Sequence, residues 1–173
     1  NAILAKSYLL AWKVTKKSIY EEVCRRICDY MLERLLLPEG GFATAEDADL
    51  EGKEGFYYTW TTYEMQEVLS LEEFELASAY FGVTQGGNFE GRNVLMAEHS
   101  MLEFAEALSM NLGEVGAILE RAKAKLRQKR DQRPRPFVDD KIIAGANGFA
   151  IETLALVGRA FSNKRYVDAA LQA

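Results

Sequence analysis

Apolar residues recur at three- and four-residue intervals through most of this chain, and the helical runs come in pairs joined by breaks too short for anything but a reversal. Residues 3–16 place Leu4, Tyr8, Ala11 and Trp12 on one stripe. After the polar break Lys16-Lys17-Ser18 the period resumes with Ile19, Val23, Ile27, Tyr30, Met31 and Leu35. Ser18 reads as an N-cap, with Glu21 completing a capping box, and Pro38-Glu39-Gly40-Gly41 stops the second helix. Further helices are expected over 63–69, capped by Thr61 or Thr62, and over 71–81, 100–110 and 112–130. A last hairpin is expected from 142–161 and 164–173. Only three prolines occur, and two of them, Pro134 and Pro136, end the longest helix.

The first and last hairpins echo each other. Leu9-Leu10-Ala11-Trp12-Lys13-Val14-Thr15 leads through a Lys-containing turn to Ile19-Tyr20-Glu21-Glu22-Val23, as Leu154-Ala155-Leu156-Val157-Gly158-Arg159-Ala160 leads to Arg165-Tyr166-Val167-Asp168-Ala169. Such reuse is what stacked helical hairpins predict, each hiding its apolar face on the next. The expectation is a single mainly α domain over 1–173, a truncated piece of a larger hairpin array. The pattern is already helical at Ile3 and unbroken at Ala173.

Two insertions interrupt the helices. Residues 42–49 are short and acidic, residues 50–55 rich in turn formers, and Phe56-Tyr57-Tyr58-Thr59-Trp60 aromatic enough for a strand, so a short β-hairpin excursion is expected. Residues 82–93 read as a loop, tightest at Gly86-Gly87-Asn88.

Composition excludes several classes. The net charge of -5 argues against a general nucleic-acid binder. The basic run Arg121, Lys123, Lys125, Arg127, Lys129, Arg130, Arg133 and Arg135 alternates with Leu119, Ala122, Ala124 and Leu126, the pattern of an amphipathic surface helix. No apolar run approaches the roughly 20 residues of a membrane span, and no secretory signal opens the chain, so a cytoplasmic location is expected. Cys24 and Cys28, four apart on a helix, suit two reduced core thiols better than a redox pair or zinc site. The single histidine, His99, precedes a helix start and reads as a surface residue.

Three ordered strings are specific. Residues 40–52, Gly40-Gly41-Phe42-Ala43-Thr44-Ala45-Glu46-Asp47-Ala48-Asp49-Leu50-Glu51-Gly52, run on to Phe56-Tyr57-Tyr58-Thr59-Trp60-Thr61. Gly87-Asn88-Phe89-Glu90-Gly91-Arg92-Asn93-Val94-Leu95 follows, then Arg133-Pro134-Arg135-Pro136-Phe137-Val138-Asp139-Asp140-Lys141-Ile142-Ile143. Together they resemble the helical part of the spermatogenesis-associated, thioredoxin-domain-containing protein family. The resemblance implies an (α/α)6 toroid of the kind found in six-hairpin glycosidases and N-acylglucosamine 2-epimerases. It also implies a thioredoxin-like domain elsewhere in the full-length protein. The chain departs from the pattern at two points: Met96 stands where His is expected, and Ala146, before Asn147-Gly148, where Trp is expected.

Candidate chemistry centres on carboxylates. In a strand Asp47 and Asp49 share one face and Glu46 points to the other. Paired with Asp139 or Asp140 at a toroid mouth, Asp47 and Asp49 are candidate catalytic groups, because glycoside hydrolysis uses two carboxylates in different protonation states. Capping and pairing with Lys141 and Arg92 is the competing reading. Glu46, Tyr58, Asn88, Glu90, Arg92, Asn93, Lys141 and Asn147 are candidate substrate-binding residues. Asp47-x-Asp49-x-Glu51-Gly52 mimics the start of an EF-hand, but Tyr58 falls where the bidentate glutamate is needed, so no metal site is assigned. No motif implies a cofactor.

Two functions therefore compete. One is a segment of a toroid that binds or processes a carbohydrate-like small molecule, which requires the carboxylates to converge in one concavity. The other is a non-catalytic scaffold serving an attached thioredoxin-like domain, in which each carboxylate is tied to its own partner. On either reading the segment alone is expected to be inactive, and hairpin faces left open are expected to drive self-association.

Overall fold

The computed structural model describes residues 1–50 and 52–173. The chain is mainly helical and is built as two compact units, one made of Asn1–Asp47 with Phe137–Ala173 and the other of Ala48–Pro136.

The first unit holds two helical hairpins: α1 (Ala2–Thr15) with α2 (Ser18–Tyr30), and α7 (Ala144–Ala160) with α8 (Lys164–Gln172). They pack through α1 and α7, with α2 also reaching α7. The two reversals are built alike. Lys16 (φ 58°) and Ser162 (φ 52°) both turn the chain in the left-handed region, and Asn163 caps α8 through the Arg165 amide. Gly158 permits the close crossing of α7 and α8, since a Cβ there would lie 2.7 Å from Val167 Cγ2. Ala5, Leu9, Cys24, Cys28, Met31, Leu154, Val157 and Tyr166 form the core. Both thiols are free and buried, as expected. Tyr166, fully packed, donates its hydroxyl to Asp29 Oδ1 at 3.0 Å.

Two local expectations are corrected here. The buried stripe of α1 is Ala5 and Leu9 flanked by Ala2, Tyr8 and Trp12, while Leu4 is half exposed. The helix is apolar on several sides, and packing against both α2 and α7 selects a different stripe from the one periodicity suggests. Ser18 lies inside α2, whose cap is Lys17 without a side-chain bond, and Glu21 pairs with Arg25 instead. The last turn of this helix widens into a π-helical turn, Met31–Leu35, before Pro38.

The second unit packs α3 (Thr62–Val68), α4 (Leu71–Tyr80) and α5 (Met101–Ala107) on the long α6 (Leu112–Arg130). Thr61, Ser70 and Ser100 each close a full capping box with the glutamate three residues on. Val115, Ile118, Leu119, Ala122 and Leu126 give α6 its buried stripe, which leaves most of the basic run outside, as amphipathicity requires.

The β structure differs from expectation. The short hairpin pairs β2 (Asp49–Leu50) with β3 (Lys53–Glu54). The aromatic segment 56–60 is not a strand. Its first residues curl back, with the Tyr58 and Thr59 amides both donating to Gly55 O at 3.0 Å, and only Trp60 makes a bridge, to Asn93. In the first unit β1 (Ala45–Glu46) pairs antiparallel with β4 (Val138–Asp139), a partner about ninety residues away in sequence.

Candidate functional site

The acidic loop of the first unit is fastened at four points to the first turn of α7 and the segment before it. Asn147, buried, accepts the Phe42 amide at 2.6 Å and donates to Phe42 O at 3.1 Å, closing a two-way clamp on the backbone of one residue. Thr44 donates its hydroxyl to Lys141 O at 2.6 Å. The Thr44 amide meets Asp139 O at 3.0 Å, and the Asp47 amide meets Phe137 O at 2.7 Å. Gly41, at φ 83°, lies so close to Ile142 that a Cβ would meet its Cδ1 at 2.9 Å.

This ladder decides which carboxylates meet. Ala45 is opposite Asp139 and Glu46 opposite Val138. Side chains alternate along a strand, so Glu46 and Asp139 project to opposite sides. Glu46 turns inward to a charged pair with Arg34, their side chains 5% and 13% exposed. Tyr30 adds its hydroxyl to Glu46 Oε2 at 3.0 Å. Asp139 is bonded by Lys141 through both the amide and Nζ, at 3.3 and 3.0 Å, and those bonds hold its carboxyl below the usual aspartate range. Asp47 lies one residue past the end of β1. Asp47, Asp140 and Lys141 are all exposed. Asp49 belongs to the other unit, in β2. Glu51, the third acidic position of the EF-hand-like spacing, lies outside the described residues.

The second unit gathers a different knot. Arg92 donates to Thr59 Oγ1 (2.9 Å), Thr59 O (2.8 Å) and Glu64 Oε2 (2.6 Å). Arg133 donates one nitrogen to three carbonyls, those of Phe56, Tyr57 and Thr59, at 2.8, 3.0 and 2.8 Å. Its other terminal nitrogen lies 3.4 Å from Glu64 Oε1. Both guanidiniums stack on Phe56, and Arg133 also lies 4.2 Å from the centre of the Trp60 ring. Burial would raise the Glu64 carboxyl, but the Thr61 amide and the two arginine charges outweigh it and hold it low. Asn93, buried, exchanges bonds with Thr84 and Trp60 O, while Asn88 closes a two-way clamp on Val94.

Of the substrate-binding candidates, Arg92, Asn93, Asn88 and Asn147 are thus engaged in holding backbone, and Glu46 in holding Arg34. Glu90 and Tyr58 are presented to solvent. Glu90 stands at φ 47° beside Gly91 at φ 75°, in the two-residue turn that joins Phe89 to Arg92. Met96 and Ala146, the two departures, are both exposed.

Sequence reasoning missed Arg34 and Tyr30 as partners of Glu46, and placed Arg133 on a solvated basic face when it sits among carbonyls and rings. The Pro134 and Pro136 that follow Arg133 were the available signal, because they end the helix just before it. No group of three or more His, Cys, Asp or Glu placed to hold a metal ion occurs among the described residues. No described helix is long and apolar enough to cross a membrane.

No protein-family model matches the chain. Spermatogenesis-associated protein 20 from Homo sapiens is 30% identical, covering 97% of this chain and 25% of that protein. Its counterparts from Mus musculus and Rattus norvegicus are 29% and 27% identical, over 96% and 98% of this chain and 24% and 25% of theirs. The chain therefore spans about a quarter of the length of the relatives it matches. The resemblance carried by the three sequence motifs extends along almost the whole chain, whose homologues are the spermatogenesis-associated, thioredoxin-domain-containing proteins.

Proposed function

We propose that the chain is a hairpin segment of an (α/α)6 toroid that supports a face for a carbohydrate-like small molecule and is not a catalyst on its own. Two features support the toroid. The hairpins of the first unit pack as neighbours through α1 and α7. Their helices also divide by character, α2 and α8 separating apolar from charged faces sharply while α1 and α7 are apolar on several sides. Helices apolar all round belong inside and two-faced helices outside, which is the inner and outer ring of such a fold.

The observation that carries the non-catalytic reading is the direction of Glu46. Glycoside hydrolysis places two carboxylates roughly 5–10 Å apart across one bond. Glu46 points away from Asp139 to its own partner Arg34, Asp139 is tied to Lys141, and Asp49 belongs to the other unit, which supports carboxylates held singly over carboxylates that converge. The work of Glu46 is to brace the loop. One arrangement favours a second reading, catalysis: Asp47, whose amide bonds Phe137 O at 2.7 Å, is held beside the strand that carries Asp139.

The purified chain separates the two when assayed against a panel of glycosides and amino sugars, with Asp47→Asn and Asp139→Asn beside it. The expected result is no turnover by any of the three proteins. Turnover abolished by either substitution would overturn the proposal in favour of catalysis.

A further inference from the structure

The second unit carries an open groove of about 420 Å³ between α4 and the start of α6, floored by Leu71, Leu76, Leu108, Met110 and Ile118. Leu71 is 74% exposed, and Leu108 and Met110 are 43% and 36% exposed, so the apolar floor is open to solvent. The turn between α5 (Met101–Ala107) and α6 holds this floor in place. Ser109 takes a left-handed conformation at φ 53°, fixed by its amide to Glu106 O and by the Met110 amide to Ala105 O, both at 3.0 Å. Leu108 and Met110 flank that residue and are preset before any partner arrives.

The rim is acidic. Glu72 and Glu75 line one side, and Glu114 lines an adjoining cleft that shares Glu72, Met110 and Ile118. Among the described lining residues the one cation, Arg121, is already shared between Glu72 and Glu73 at 3.9 and 3.7 Å. An apolar floor with an anionic rim matches the face of an amphipathic helix whose apolar stripe is bordered by Lys or Arg. Methionine on such a floor adapts to differently shaped apolar side chains.

We infer that this groove docks a basic amphipathic helix of a partner protein. The inference does not rest on the reading of the acidic loop, which lies in the other unit. The test is fluorescence anisotropy of the 173-residue chain with a labelled amphipathic peptide made only of leucine and lysine, and with its leucine–glutamate counterpart. The expected result is saturable, salt-sensitive binding of the basic peptide alone. Glu72→Lys/Glu75→Lys/Glu114→Lys should weaken it by at least roughly tenfold, since three rim charges change sign. Leu108→Ser/Met110→Ser should weaken it similarly while leaving the circular dichroism spectrum unchanged. Glu39→Lys/Glu54→Lys/Glu98→Lys, the same change in net charge on exposed residues outside the groove, should leave it within about twofold of the parent. Equal loss from both charge-reversed sets would overturn the inference by showing attraction to net charge alone. Failure of the basic peptide to bind would also overturn it, and a dimer in light scattering that Leu108→Ser/Met110→Ser abolishes would assign the groove to a second copy instead.

Discussion

Removing Arg34 tests whether Glu46 braces the fold. The two side chains are 13% and 5% exposed and form a charged pair, with the Tyr30 hydroxyl on the second carboxylate oxygen at 3.0 Å. Breaking a buried pair by deleting one partner leaves a charge in a poorly solvated site, at roughly 3–5 kcal/mol, whereas replacing both partners by apolar groups is often close to neutral. Arg34→Met should fall near the lower bound, about 3 kcal/mol, because the arginine keeps some contact with water. For a chain of this size that lowers Tm by roughly 6–12 °C. Glu46→Leu should lose a comparable amount, and Arg34→Met/Glu46→Leu should recover most of it. About 1 kcal/mol would remain for the Tyr30 hydroxyl deprived of its acceptor. The chain has two tryptophans, one in each unit, so a Trp60→Phe background leaves Trp12, packed on Phe161, to report the first unit. Urea unfolding followed by Trp12 fluorescence then yields the double-mutant cycle. Additive single losses, or an Arg34→Met variant within about 0.5 kcal/mol of the parent, would show that the pair is not a brace and that Glu46 is open to another role.

Further outcomes are expected. Asn147→Ala orphans the buried Phe42 amide and should cost about 2–3 kcal/mol, read by thermal melting together with loss of hydrogen-exchange protection at Phe42. Gly87→Ala should destabilise the second unit, because at φ 76° its Cβ would lie 2.4 Å from Arg92 O, whereas Glu90→Asn should stabilise by up to about 1 kcal/mol, because asparagine tolerates the left-handed turn position better than glutamate. Glu64 and Glu73 are both held below the ordinary glutamate value, so they contribute stability above about pH 4.5 that is lost as pH falls through their depressed folded values; Glu73→Gln should flatten that acid limb in a melting series. The hydrogen bond between the two thiols pushes Cys28 up and Cys24 down, but both side chains are fully buried, so neither thiol should react with a disulfide reagent until the chain is unfolded.

What was legible in the sequence was local. Helical periods, a threonine cap at residue 61 or 62 and the stop at Pro38-Glu39-Gly40-Gly41 depend on residues within a few positions of one another, and they appear where the pattern puts them, Thr61 being the cap. The echo between the first and last hairpins survives down to matched left-handed turn residues, Lys16 and Ser162. The Ser18–Glu21 cap is a local failure, since Glu21 pairs with Arg25 instead, and the remaining failures share a cause. Phe56-Tyr57-Tyr58-Thr59-Trp60 has strand composition, yet Arg133, more than seventy residues on, collects its carbonyls and leaves no edge to pair. Leu4 and Ala5 are equally good helix residues, and only packing against α2 and α7 determines which is buried. Glu46 and Asp47 look alike as neighbours in an acidic run, and the pairing with β4 is what sends one inward and the other out.

The motifs that carry the resemblance interlock pairwise, and this bears on what they are for. In the first unit the Gly40-to-Asp47 string is clamped to the Phe137-to-Ile143 string and to Asn147. In the second, the Phe56-to-Thr61 string is held by the Gly87-to-Leu95 string and by Arg133 at the head of the third. Thr44, Thr59, Asn88, Arg92, Asn93 and Arg133 bond backbone amides and carbonyls, groups that loops between helices leave without helical partners and that are expensive to bury unpaired. An array of hairpins with long insertions has this problem at each insertion, and clusters of Asn, Arg, Thr and Gly answer it without requiring a substrate. A ligand would instead meet side chains at the exposed loop surface, Glu90 on its left-handed turn among them. The density of polar residues in a motif is therefore a poor guide to chemistry here, and the direction each side chain takes from its clamp is the better one.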